Sequence, residues 1–251
     1  MKRPRIIPVL LLRNRGLVKS VKFKNHIYVG DPINAVRIYN DLRVDELIVL
    51  DIDATAEKRP ISVELINQIG EEANMPFSVG GGITDVHTIK NLIQAGAERV
   101  VLSSYALTNP TFIEEASDWF GASTIVVCVD YKRSFLGGNQ VFVQGGSKKV
   151  GLTPLEAAKL AESQGAGEVV LQSIDNDGLM TGFDTEMIRQ VNRELTIPVV
   201  ALGGAGHLSD FEDLYAATPV NAIASGSFFV FQGKHRGVLI RYPDPAEYNF
   251  K

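Results

Sequence analysis

Asp51, Asp130 and Asp175 each lie at or just past the end of a short apolar run, and Lys19 stands in the segment that follows the first run. An aspartate projecting from a strand end into a cavity can serve as general acid or base once burial or a neighbouring charge moves its pKa toward neutrality. The same position suits an acid that only caps a loop, and spacing leaves both roles open. Gly80-Gly81-Gly82 and Gly203-Gly204-Ala205-Gly206 also follow apolar runs, each just ahead of a stretch of helical period. Backbone free of side chains lets amide N–H groups approach an anion there, helped by the helix dipole. Ser103-Ser104 and Ser225-Gly226 would add hydroxyl and amide donors to the same two places. One isolated glycine cluster reads equally well as a tight turn. Two matched clusters at strand ends point to two anion sites, and so to an elongated substrate carrying two phosphates.

At the opposite, amino ends of the runs stand Arg5, Glu46, Arg99 and Glu168. Two bases and two acids so placed could meet around a common axis, either as a plug or as a functional cluster, and spacing alone does not choose between them. His26, His87, His207 and His235 are scattered, and none pairs with a second ligand at metal spacing. Neither a metal nor a cofactor is therefore expected. Cys128, the lone cysteine, sits inside an apolar run and reads as a packing residue. A single cysteine rules out an intrachain disulfide and fits a reducing, cytoplasmic setting.

The elements that must position these residues follow from the runs themselves: Ile6 to Leu12, Leu47 to Leu50, Pro76 to Val79, Val100 to Leu102, Thr124 to Val129, Val169 to Leu171, Pro198 to Leu202 and Asn221 to Ser225. Unbroken apolar runs of this length are what strands buried on both faces look like. Between most of them lie stretches of helical period with start signals, such as Thr153-Pro154-Leu155-Glu156. Eight strands alternating with helices give a parallel sheet, and eight units close a (β/α)₈ TIM barrel. Glu46 to Asp51 answers to Glu168 to Ser173, Met75 to Gly81 to Ile197 to Gly203, and Ser103 to Ser225, always at a spacing of 122 residues. One barrel domain over residues 1–251, made of duplicated half-barrels at about 1–122 and 123–251, is the reading. Two segments break the rhythm: a long loop from Arg13 to Gly30, and Arg133 to Lys149, whose paired glycines read as a small hairpin. Glycines and prolines from Gly233 to Lys251 make the eighth helix short or missing.

The chain has 251 residues, 45% of them hydrophobic and 22% charged, with a formal net charge of −4 and no long basic run. That mixture fills a large core and lacks the electrostatic footprint of a nucleic-acid or anionic-membrane partner. The basic start Met1-Lys2-Arg3-Pro4-Arg5 precedes an apolar stretch too short for a signal peptide or a membrane span.

These residues make the chain resemble the cyclase subunit of imidazole glycerol phosphate synthase over nearly its whole length to about Phe231. The resemblance is carried by Val79-Gly80-Gly81-Gly82-Ile83, Ser173-Ile174-Asp175-Asn176-Asp177-Gly178, Thr181 to Arg189, and Gly203-Gly204-Ala205-Gly206. It implies a barrel of the ribulose-phosphate-binding type with a glutaminase subunit docked on its amino-terminal face, whose ammonia passes a salt-bridged gate and runs down the barrel to a phosphorylated small molecule. Arg5, Glu46, Arg99 and Glu168 occupy the gate positions, with arginine at 99 where lysine is usual. Phosphates would be held by Gly81, Gly82, Ser103, Ser104, Gly178, Gly203, Gly204, Ser225 and Gly226, and Lys19, Asp51, Gln172 and Asp177 would line the pocket.

In the family two aspartates, at the ends of strands one and five, act as acid and base. Asp130 is retained, but Leu11 stands where the other belongs, and leucine cannot transfer a proton. Gln172 and Leu202 also replace smaller polar residues, and Gly233-Lys234-His235-Arg236 departs from the usual helix. This pattern is similar to a paralogous branch associated with surface polysaccharide, in which barrel and glutaminase supply ammonia to a sugar amidotransferase that turns an acetamido into an acetamidino group. The expected function is therefore an ammonia-conducting synthase-type subunit, with Asp130 as the residue for any surviving chemistry. The alternatives are a working cyclase, a lyase of histidine biosynthesis; the related barrel isomerase, which uses no glutaminase; and a pure scaffold closed to ammonia.

Overall fold

The computed structural model describes residues 3–135, 137–233 and 235–250. Met1 and Lys2 of the basic start and Lys234 of the departing tail lie outside the described residues. Eight parallel strands form a closed barrel: β1 (Arg5–Arg13), β2 (Leu47–Asp51), β3 (Phe77–Gly80), β4 (Arg99–Leu102), β5 (Ile125–Arg133), β6 (Glu168–Ser173), β7 (Val199–Leu202) and β8 (Ala222–Ser225). Each pairs with the next, β5 meets β6 from Glu168↔Val126 to Ser173↔Tyr131, and β8 returns to β1 from Ala222↔Arg5 to Ser225↔Pro8. The chain is thus a (β/α)₈ TIM barrel.

Alternation along each strand builds two cores. Ile7 and Val9 of β1 face the barrel interior with Ile48, Val101, Val126, Cys128, Val170, Val200 and Leu202, while Ile6, Leu10 and Leu12 join the layer between barrel and helices. Burial on both faces is why these strands read as unbroken apolar runs. That outer layer is covered by helices α1 (Pro32–Asp41), α2 (Val63–Glu72), α3 (Val86–Gln94), α4 (Thr111–Phe120), α5 (Pro154–Ser163), α6 (Thr185–Glu194) and α7 (Leu208–Ala217), with a one-turn helix, Ser104–Thr108, before α4. Asp31, Ser62, Asp85, Thr153 and Asp184 cap five of them, each accepting a backbone N–H three residues on. Each such cap is worth about 1 kcal/mol. Thr153 and Glu156 complete the capping box that their spacing predicts.

The stretch from Arg13 to Gly30 is not a loop. It is a β-hairpin, Gly16–Val21 and Lys24–Gly30, grafted antiparallel onto the end of β1 at Leu11↔Val18 to Arg13↔Gly16. Its outer strand is largely exposed and carries no apolar alternation, so main-chain pairing alone makes it a strand. The glycine-marked second interruption is the hairpin expected: β5 runs on to Arg133, pairs with Asn139–Val143, and that strand pairs with Lys148–Lys149.

Among the described residues no α-helix follows β8. Aromatic side chains fill its place: Phe228, Phe229 and Tyr248 surround Phe211 of α7 with ring centroids 4.8, 6.0 and 5.9 Å away, and Tyr242 stacks on Phe229. Rings bury enough area to close the barrel wall without helical period.

Candidate functional site

At the amino ends of the strands, four charged side chains close the barrel. The Arg5 guanidinium donates to both Glu46 and Glu168, Arg99 donates to Glu168 at 2.8 Å and lies 3.7 Å from Glu46, and the Ser78 hydroxyl donates to Glu46 at 3.0 Å. The two carboxylates are almost wholly buried, whereas Arg5 and Arg99 keep 30% and 25% of their side chains exposed at the outer face. Burial pushes the Glu168 carboxyl up from its ordinary pKa, and the two arginines oppose it. Alternation from these residues inward puts Ile7, Ile48, Val101, Val126 and Val170 next along the axis. The interior is therefore apolar between the charge ring and the other end.

At the carboxyl ends the strands open into a cavity of 540 Å³. Its floor holds Leu11, Leu50, Cys128, Asp130 and Gln172, and one wall holds Asp51, Gly81, Gly82, Ser103 and Ser104. Asp130 accepts from Ser103 Oγ at 3.4 Å and from Cys128 Sγ at 3.3 Å. Burial raises its pKa to about 7, against the two hydrogen bonds, so it can exchange a proton near neutral pH. Leu11 lies on β1 in the same cavity, with no proton to give. Burial pushes the Cys128 thiol well above its ordinary pKa, and Cys128 packs inside the barrel, as its apolar surroundings in sequence suggest.

Glycine at 82 is needed for packing as well as for openness. Its φ is +63°, and a Cβ there would stand 1.9 Å from the Arg59 carbonyl oxygen. Arg59 in turn binds Asp51 at 2.6 Å, so Asp51 is a paired carboxylate on the wall. His26, from the first hairpin, also lines the cavity. Arg13 donates to its Nδ1 at 2.9 Å and pairs with Asp53 at 3.1 Å. Because a guanidinium only donates, Nδ1 accepts and the proton of the neutral ring sits on Nε2. Burial, and then Arg13, hold the His26 pKa down.

Lys19, Asp177 and Asp175, expected to point into the pocket, do not line this cavity. Lys19 is 3% exposed, donates to the Val9 carbonyl oxygen, and approaches Gly226 so closely that a Cβ there would stand 2.8 Å from Nζ. Burial lowers its pKa to about 8, partly offset by Asp177. Asp177 accepts from Ser20 Oγ at 2.9 Å and fastens the first hairpin down. Asp175 accepts from the Arg133 amide at 2.8 Å and so caps the base of the second hairpin, the plainer of its two sequence readings. Each of these acids answers a hairpin backbone that sequence spacing does not reveal.

Over residues 5–236 the chain matches the family of histidine biosynthesis proteins. It is 46% identical, over 97% of each chain, to a Pseudomonas aeruginosa protein provisionally named imidazole glycerol phosphate synthase subunit hisF2. It is 42% identical to one provisionally named subunit hisF3 in Vibrio vulnificus, over 98% of this chain and 95% of that one. It is also 38% identical to the imidazole glycerol phosphate synthase subunit HisF of Streptococcus sanguinis, over 91% of each. The chain belongs to the HisF family.

In this HisF-family chain the structure brings Gly81, Gly82, Ser103, Ser104, Asp51, Asp130 and Gln172 together around one cavity and Arg5, Glu46, Arg99 and Glu168 into one ring. It sets Gly178, Gly203, Gly204, Ser225 and Gly226 outside that cavity. His26 and Arg59 are cavity residues that spacing did not single out; each joins only once its loop is folded. Among the described residues no group of three or more His, Cys, Asp or Glu could hold a metal ion, and no helix is long and apolar enough to cross a membrane.

Proposed function

We propose that this HisF-type barrel is the synthase-side subunit of a glutamine-dependent complex and conducts ammonia rather than closing an imidazole ring. A glutaminase partner docks at the charge ring, which admits ammonia when Arg5, Glu46, Arg99 and Glu168 loosen. The apolar interior beyond excludes water and keeps ammonia unprotonated on its way to the cavity. The final acceptor is an acetamido sugar, amidinated by a separate amidotransferase of surface-polysaccharide synthesis. The glycine and serine loops hold a phosphorylated ligand or effector.

The observation that carries this reading is Leu11. It stands in the same cavity as Asp130, whose pKa of about 7 suits proton transfer, and leaves that acid without a partner acid or base on β1. Losing half of an acid/base pair costs about 10²–10⁴ in rate, while an apolar passage loses nothing by the same exchange. The second reading, a working cyclase, draws support from Asp130 and from the 38% identity to the Streptococcus sanguinis subunit.

The deciding experiment supplies the purified chain with the ribulosyl aminoimidazole carboxamide ribotide and a saturating ammonium salt at alkaline pH, which removes the need for a glutaminase. Conduction without cyclisation gives turnover at least about a hundredfold below one per second. Turnover within about tenfold of one per second restores the cyclase reading.

A further inference from the structure

The charge ring is not backed by main-chain pairing all the way round. β1 pairs with β8 from Arg5 itself, β4 meets β3 at Arg99 itself, β6 meets β5 at Glu168 itself, and β2 joins β3 from Leu47, the residue after Glu46. Between β1 and β2 the pairing begins deeper in the barrel, at Val9↔Ile48. Continued outward, that register sets Ile6 opposite Asp45, one residue from Arg5 and one from Glu46. Side chains make the rungs there. The Ile6 amide donates to the Asp45 carboxylate at 2.9 Å. The Tyr242 hydroxyl stands between the two strands, accepting from the Asp45 amide at 3.4 Å and donating to the Ile6 carbonyl at 3.1 Å. Arg3 holds the same carboxylate from outside with two bonds of 2.7 Å.

Tyr242 comes from the segment that takes the place of an eighth helix. Its ring is buried and stacks on Phe229, and the neighbouring Arg241 donates its amide to the Phe229 carbonyl at 2.9 Å and lays its guanidinium over the Phe228 ring. A rung made by one hydroxyl opens alone, whereas a run of ladder bonds opens as a unit. The ion pairs single out the same seam. Parting β1 from β2 separates Arg5 from Glu46, yet Arg5 keeps Glu168, and Glu46 keeps the Ser78 hydroxyl at 3.0 Å and Arg99 at 3.7 Å. No buried charge is stranded, and a stranded charge is what makes breaking a buried pair expensive.

We propose that the charge ring opens along the β1–β2 seam, and that Tyr242 is a positioning residue that holds Arg5 against Glu46 across it. The hydroxyl acts through the backbone on either side, at Ile6 beside Arg5 and at Asp45 beside Glu46. Arg3, half-exposed on the outer face, ties the same seam to whatever docks there. That the opening admits ammonia rests on the gate reading of the proposed function; where the ring parts is a property of this chain alone.

The test follows amide hydrogen exchange and arginine side-chain ¹⁵N spectra of the intact chain and of Tyr242→Phe, which keeps the stacked ring and removes the hydroxyl. In the parent, the Ile6 and Asp45 amides exchange at least about tenfold faster than those of Arg5 and Leu47, which bond main chain on the neighbouring seams to Asn221 and Pro76. In Tyr242→Phe the Ile6, Asp45 and Arg5 guanidinium protons exchange at least about tenfold faster than in the parent, while those of Arg99 stay within about threefold. A uniform loss of stability would quicken Arg5 and Arg99 alike, and that result overturns the proposal. Equal exchange at Ile6, Asp45, Arg5 and Leu47 in the parent overturns it as well, with no variant needed. The gate reading is tested apart, by free ammonia per glutamine consumed when each chain is assembled with a glutaminase. A seam loosened as expected with that ratio unchanged upholds the seam and sinks the gate.

Discussion

Leu11 of β1 and Asp130 of β5 line one cavity from strands four apart in a ring of eight. Restoring an acid by Leu11→Asp places two carboxyl groups over the same apolar interior. Like charges so confined raise one another's pKa, so the variant loses stability at pH 8, by about 2–3 kcal/mol, and recovers most of it at pH 5. Urea unfolding at the two pH values reads the difference. Cyclase turnover stays at least about a hundredfold below one per second, because Leu11 is not the sole departure in the cavity: Gln172 also replaces a smaller polar residue there. A rise to ordinary turnover would show that Leu11 alone silences the ring closure.

Asp130 carries its own pH signature. Its native pKa of about 7 lies above that of an exposed aspartate, so between roughly pH 4 and 7 the native state binds more protons than the unfolded one, and stability falls as pH rises. Asp130→Asn removes this penalty. The variant melts several degrees above the parent at pH 8, and the two converge near pH 4. Each pKa unit corresponds to about 1.4 kcal/mol, which bounds the gain at a few kcal/mol. Equal melting temperatures at pH 8 would mean that Asp130 is ionised in the native state at no cost.

The barrel was legible because its strands are buried on both faces: runs such as Val169 to Leu171 and Pro198 to Leu202 could be nothing shorter-ranged than parallel core strands. The charge ring was legible as a set of positions, since Arg5, Glu46, Arg99 and Glu168 all stand at strand starts, but its geometry was not. The first hairpin was hidden for the opposite reason. Lys24–Gly30 is exposed and pairs only through its main chain, so no pattern of side chains announces it. The misplacements of Lys19 and Asp177 follow from that one element, and that of Asp175 from the second hairpin. Lys19 and Asp177 sit where sequence puts pocket residues, yet the hairpin turns one into a buried ammonium and the other into its fastening. His26, one of four scattered histidines in sequence, reaches the cavity by the same fold.

Lys19 is expected to cost the protein stability. Its ammonium is buried against the Val9 carbonyl, and its pKa falls from the usual lysine range to about 8. Between about pH 8 and 10.5 the unfolded state binds more protons than the native one, so stability rises with pH across that window. Lys19→Met keeps the stem and removes the charge. It raises the melting temperature at pH 7, and the advantage shrinks as pH approaches 10. A lower melting temperature at pH 7 would assign the ammonium a stabilising contact with the Val9 carbonyl that outweighs its burial.

The charge ring separates a gate from a plug by how it responds to neutralisation. Glu168→Gln leaves Arg5 and Arg99 partly buried against a neutral amide, and breaking such a set by one member costs about 3–5 kcal/mol. Replacing Arg5, Glu46, Arg99 and Glu168 together by methionine removes the charges and their desolvation cost at once, and is expected to cost less than the single change. Denaturant unfolding measures both. In the proposed complex with a glutaminase, a gate predicts that the four-methionine chain has no charged door, so hydrolysed glutamine yields ammonia in bulk solvent at a rate no longer coupled to any acceptor. A plug predicts the reverse: four methionines fill the barrel end as well as the ions did, and the fate of ammonia does not change. Measuring free ammonia per glutamine consumed in parent and four-methionine complexes distinguishes the two, with the unfolding curves confirming that both chains are folded.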